Sequence, residues 1–119
     1  RRMRKLVGGG MRQVGILAAA GIYALDHHID RLADDHAMAR RLADQLNKIG
    51  PIAVDADLVE TNMLFITVPE GAADPLRAHL ASRGILLGGG DRVIRLVTHL
   101  DVDEKAADQF AAELADFFQ

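Results

Sequence analysis

Arg95 stands in the middle of the apolar run "VIRLV" at 93–97, where a guanidinium needs an anionic partner or a route to water to offset its desolvation. If Val93, Arg95 and Val97 share one face of a strand, that face carries a planar, forked donor suited to a carboxylate. The plainer reading is a solvated residue on a wet sheet face, and the pattern alone leans that way. A second cationic feature is "KLVGGGMR", in which Lys5 and Arg12 flank three glycines ahead of an alanine-rich apolar run. Glycines before a helix let backbone N–H groups approach a phosphate or carboxylate, with Arg12 adding positive potential, or they form only a turn that positions the helix. The spacing matches neither a Walker A loop nor a dinucleotide fingerprint.

Other chemistries find little support. The chain has no cysteine, and its one serine, Ser82, lacks a nucleophile-elbow context. Of the five histidines, His27 and His28 are adjacent and diverge on a helix, while His36, His79 and His99 fall in separate elements, so no metal site is expected. "GGGD" at 88–91 reads as a tight reversal between strands.

These residues need elements to hold them. Val14, Leu17, Gly21, Leu25, Ile29 and Leu32 recur at helical spacing, and the stripe continues through His36, Ala39, Leu42, Leu46 and Ile49. One very long helix, or two with a bend near His27, satisfies it, and Gly50 with Pro51 ends it. "GILAAAG" at 15–21 presents small residues on every side, which suits a central buried helix or a subunit interface.

The period then changes. "IAV" at 52–54 and "NMLFITV" at 62–68 read as strands, Asp74 and Pro75 open a helix that Gly84 ends, and "ILL" at 85–87 and "RVIRLVTHL" at 92–100 read as two more strands. Asp101 or Asp103 caps a last helix from about 104 to 118, with Ala107, Phe110, Ala111, Leu114 and Phe117 on one face. The expected fold is α+β and two-layered: a small, mainly antiparallel sheet of three to four strands covered by helices on one face, preceded by a long N-terminal helical segment.

Bulk properties agree with one domain. The chain has 119 residues, of which 50% are hydrophobic and 26% charged, and its 14 basic against 17 acidic side chains leave a net charge of −3. Such a surface has no basic field for nucleic acid or anionic lipid, so neither is an expected partner. The longest apolar stretch, at 14–25, is too short to span a bilayer, and the absence of cysteine fits a cytoplasmic protein. The chain starts on arginine rather than methionine and reads as a piece of a longer one.

Taken together, "RKLVGGGMRQVGILAAAGIYAL", "RLADDH", "TNMLFI" and "RLVTHLDV" resemble the carboxy-terminal third of the low-specificity L-threonine aldolases, pyridoxal-phosphate enzymes of the aspartate aminotransferase fold. The resemblance covers essentially all of residues 1–119 and is least regular at "LLGGGDR". It implies that 1–119 is the small domain, with 1–12 as the connection from a large cofactor domain. It also implies that Arg95 binds the α-carboxylate of the amino-acid substrate, and that Arg12, with Lys5 close by, lies near the cofactor phosphate or substrate at a dimer interface.

The family reaction cleaves L-threonine or L-allo-threonine to glycine and acetaldehyde on pyridoxal phosphate held by a Schiff-base lysine. None of Lys5, Lys48 and Lys105 has the context of that lysine, so no catalytic residue is expected here and the segment alone is expected to be inactive. The partners implied are the chain's own N-terminal large domain and further copies in a homo-oligomer, a dimer or tetramer. Two alternatives stand beside this reading: the small domain of another pyridoxal-phosphate lyase of the same fold, and a non-catalytic α+β interaction module.

Overall fold

The computed structural model describes residues 2–119 and divides them into two units, one ending at Arg31 and one running over Leu32–Gln119. The first unit contains α1 (Arg2–Leu6) and α2 (Gly15–His27), and among its described residues none is buried. The expected long helical segment is therefore divided. α2 stops at His27, where the sequence allows a bend, and the apolar stripe resumes only in α3 (Leu32–Leu46) of the second unit. The small-residue run of α2 suits a central buried helix or a subunit interface, and among the described residues Ile16, Leu17, Ile22, Tyr23 and Leu25 are all exposed.

The second unit has a core of its own. After α3 come β1 (Ala53–Val54), a 3-10 turn (Ala56–Leu58), β2 (Met63–Thr67), α4 (Ala73–Ser82), β3 (Val93–Val97) and α5 (Glu104–Phe117). The three strands form one antiparallel sheet in the order β1-β2-β3. Period-two alternation sends Val54, Leu64, Ile66 and Ile94 to one face, where they join Leu42, Leu46, Leu76, Leu80 and Leu114 from the helices in a single buried cluster. The helices thus cover one face only, as the α+β pattern requires.

Local signals explain the element ends. Asp103 caps α5 by accepting a hydrogen bond from the backbone N–H of Ala106 at 2.7 Å, and Ala107, Ala111 and Leu114 bury the stripe that the sequence marks out. α4 ends in a Schellman motif: Gly84, at φ +79, donates its N–H to the Ala81 carbonyl, and Ile85 donates to the Leu80 carbonyl.

That motif corrects one expectation. "ILL" at 85–87 is not a strand, and "GGGD" is not a hairpin turn. Ile85 is apolar because the residue after a Schellman glycine packs back on its helix, and with Leu87 it rests against the core while Leu86 is 90% exposed. Three apolar residues placed this way imitate a strand in sequence without any ladder to join.

Candidate functional site

Arg95 faces outward. Its register partner across the ladder is Phe65, flanked by the pairs Met63–Val97 and Thr67–Val93 on the same face. Phe65 is 54% and Val93 53% exposed, so the face opposite the helices is a solvent-facing apolar surface with one guanidinium at its centre. Among the described residues Arg95 has neither a hydrogen-bond acceptor nor an ion-pair partner. The sequence placed Val93, Arg95 and Val97 together on one face, and the ladder agrees. A planar, forked donor with apolar neighbours has the geometry to take a carboxylate.

Residues beyond the expected set fix this strand. Thr98, 2% exposed, donates from Oγ1 to the Asp35 carbonyl of α3 at 2.7 Å. Its backbone N–H donates to the Asn62 carbonyl at 2.9 Å, and Asn62 Nδ2 returns a bond to the Thr98 carbonyl at 2.8 Å. The end of the β2–β3 pair is thereby tied to itself and to α3, three residues from Arg95. The sequence signal was a threonine and an asparagine at the margins of apolar strands, where a buried polar group must find a partner.

At the other end of β3, Arg77 of α4 holds the glycine loop. Its guanidinium bonds Asp74 Oδ1 at 2.7 Å and the carbonyls of Gly89 and Gly90. A Cβ on Gly90 would meet the Val93 carbonyl oxygen at 2.8 Å, so the close turn into β3 admits only glycine there.

In the first unit the three glycines close a helix rather than open one. Gly8, at φ +84, donates to the Lys5 carbonyl at 3.1 Å and Gly9 to the Arg4 carbonyl at 2.7 Å, a second Schellman motif. Two of the N–H groups that could have cradled an anion are thus spent on α1. A Cβ on Gly9 would lie 2.6 Å from Arg4 Cγ, and Gln13 follows with a left-handed φ of 52. Lys5 and Arg12 are both exposed, with no salt bridge among the described residues. These two cations belong to the first unit and Arg95 to the second, and each is placed within its own unit.

The donors present suit the anionic ends of pyridoxal phosphate and an amino acid, not the covalent attachment. Arg95, Arg12 and Lys5 are cations open to a ligand, whereas Lys5, Lys48 and Lys105 are all exposed, without the enclosed setting of a Schiff-base lysine.

With this arrangement in view, comparison with known proteins assigns the class: residues 1–69 match the beta-eliminating lyase family, and the chain belongs to that family. It is similar to the low specificity L-threonine aldolase of Escherichia coli strain K12, with 46% identity over 111 residues, which cover 93% of this chain and 32% of that protein. Low-specificity L-threonine aldolase 1 of Arabidopsis thaliana is 44% identical over 101 residues, covering 82% of this chain and 28% of that protein. The probable low-specificity L-threonine aldolase of Schizosaccharomyces pombe is 30% identical over 105 residues, 88% of this chain and 26% of that protein. The chain therefore spans about a third of the length of the first two relatives.

Proposed function

We infer that this chain is the carboxylate-binding small domain of a pyridoxal-phosphate-dependent aldolase that cleaves L-threonine or L-allo-threonine to glycine and acetaldehyde. The observation that carries the reading is Arg95, an unpartnered guanidinium centred on an exposed apolar sheet face in a chain similar to threonine aldolases. When bound, the cofactor supplies an electron sink for the pair released as the Cα–Cβ bond breaks. Arg95 binds the substrate α-carboxylate through its two forked N–H donors and fixes the rotation about the Cα–carboxylate axis, so that the bond to be broken is held in one orientation. Arg12, with Lys5 beside the same glycine turn, neutralises the cofactor phosphate or the substrate anion. Residues 1–12 form the connection from the large domain, and that domain supplies the Schiff-base lysine, so residues 1–119 alone are inactive.

Two further features belong to this reading. The exposed apolar residues of α2 are covered by the large domain and by another copy in a homo-oligomer, a dimer or tetramer. The protein works in the cytoplasm, consistent with the absence of cysteine and of any described helix long and apolar enough to cross a membrane.

The test is acetaldehyde release from L-threonine and L-allo-threonine with added pyridoxal phosphate, comparing this chain with one extended upstream through a large domain. Activity is expected only in the extended chain, and Arg95→Ala should remove at least about 100-fold of kcat/KM, the scale of a lost charge-assisted pair. Activity of residues 1–119 alone, or an extended Arg95→Ala enzyme of normal kcat/KM, overturns the assignment. The family match also favours a second reading, a lyase acting on an amino acid with a β-leaving group. Consumption of such a substrate in place of threonine would select it.

A further inference from the structure

On the side of the second unit formed by α4 and α5, His79, Glu113 and Asp116 converge although they are distant in sequence. His79 lies in the last turn of α4, and Glu113 and Asp116 are three apart on one face of α5. His79 Nε2 is 3.3 Å from Glu113 Oε2 and 3.9 Å from Asp116 Oδ2. Arg83 approaches from the flank, 3.6 Å from Glu113 Oε1 and 3.7 Å from Asp116 Oδ2.

The environment of its buried atoms sets this cluster apart from an ordinary surface ion pair. Both His79 Nε2 and Glu113 Oε2 are shut off from solvent and, although 3.3 Å apart, neither makes a hydrogen bond of proper geometry. No pair among the four side chains reaches hydrogen-bond geometry, and one ligand atom from each of His79, Glu113 and Asp116 lies within 4.8 Å of the others. Bonds of roughly 2.0–2.2 Å from one ion to nitrogen and oxygen ligands place those ligands roughly 3.3–3.6 Å apart, and the observed 3.3 and 3.9 Å bracket that span. The charge is also right. With the imidazole in the neutral form that binds a metal, two carboxylates against one guanidinium leave one negative charge in excess, and the Phe117 ring, 5.5 Å from the His79 ring, walls one side.

We propose that His79, Glu113 and Asp116 form a binding site for a divalent transition-metal ion, zinc being the best match to one imidazole and two carboxylates. Water completes the coordination, and Arg83, holding Glu113 through its other oxygen, is a positioning cation that weakens the ion's hold. The site ties α4 to α5 on residues to which the proposed aldolase chemistry assigns no part, so its role is structural.

The test is calorimetric titration of the metal-free full chain with zinc chloride. One zinc per chain is expected, with a micromolar dissociation constant, and binding should disappear in His79→Ala and in the shape-conserving double variant Glu113→Gln/Asp116→Asn. Arg83→Met should bind more tightly than the unaltered chain. Circular dichroism melts of the metal-free variants establish that each is folded, and the His79 ring resonances should shift on zinc addition only in the unaltered chain and in Arg83→Met. Absence of binding at submillimolar zinc, or zinc binding undiminished in the folded double variant, overturns the proposal.

Discussion

The two units contain helices of different composition, α2 almost wholly apolar and α5 with charged residues on one side, and treat them in opposite ways. In α5 the apolar side chains gather on one stripe, and Ala107, Ala111 and Leu114 disappear into a core the chain itself provides. In α2 they run round the whole circumference, and none is buried. A one-sided helix needs one neighbour and finds it within 119 residues, whereas an all-round apolar helix needs company on several sides. The pattern of a helix thus states how many surfaces must surround it, and within the first unit the described residues supply none for α2.

The contrast can be broken most directly by cutting each helix at a comparable residue. Leu114→Ala, at a fully buried position, should cost about 3 kcal/mol of unfolding free energy in urea. Leu17→Ala, at a residue 58% exposed, should stay within about 0.5 kcal/mol. Equal losses would mean that α2 is packed in the isolated chain after all. A smaller effect sharpens the account of α5: Asp103→Ala removes the cap on Ala106 and should cost about 1 kcal/mol, largely restored by Asp103→Ser.

The smallest effect concerns pH. Hydrogen bonds from Gln45 and then Arg41 hold the Asp108 carboxyl below the usual aspartate value. A depressed carboxyl stabilises the fold above the unfolded-state value and loses that contribution as pH falls through the folded-state value. The acid limb of a stability profile should therefore flatten slightly in Asp108→Asn, and high salt should shrink the difference because the pair is exposed.

How far the sequence could be read depended on whether a signal was local. The α5 cap and stripe, the two strands around Phe65 and Arg95, and the stop at Gly84 were all legible, because capping and alternation act within a few residues. The segment at 85–87 was misread since its three apolar residues serve a helix end and a core margin, neither of which has a period. Alternation placed Arg95 on a face with Val93 and Val97, but it could not say which face the helices would cover. Resemblance supplied the role proposed for Arg95, and the ladder supplied its outward direction. The His79 cluster was invisible because its members meet only when α4 lies against α5, and ligand spacing along the chain carries no trace of that meeting.

The reciprocal bonding of Asn62 and Thr98 has an arithmetic consequence. Because Thr98 is anchored to both Asn62 and Asp35, residues of β3 are counted backward from it, and odd and even places are assigned to opposite sides of the sheet. Lengthening the chain by one residue ahead of β3 leaves that parity untouched, although within 84–90 it would break the Schellman end of α4 and the glycine loop that Arg77 holds. The same single residue added between Arg95 and Thr98 would reverse the parity and turn the guanidinium toward the leucines beneath the sheet, so this short interval is where the family's tolerance for length variation should vanish.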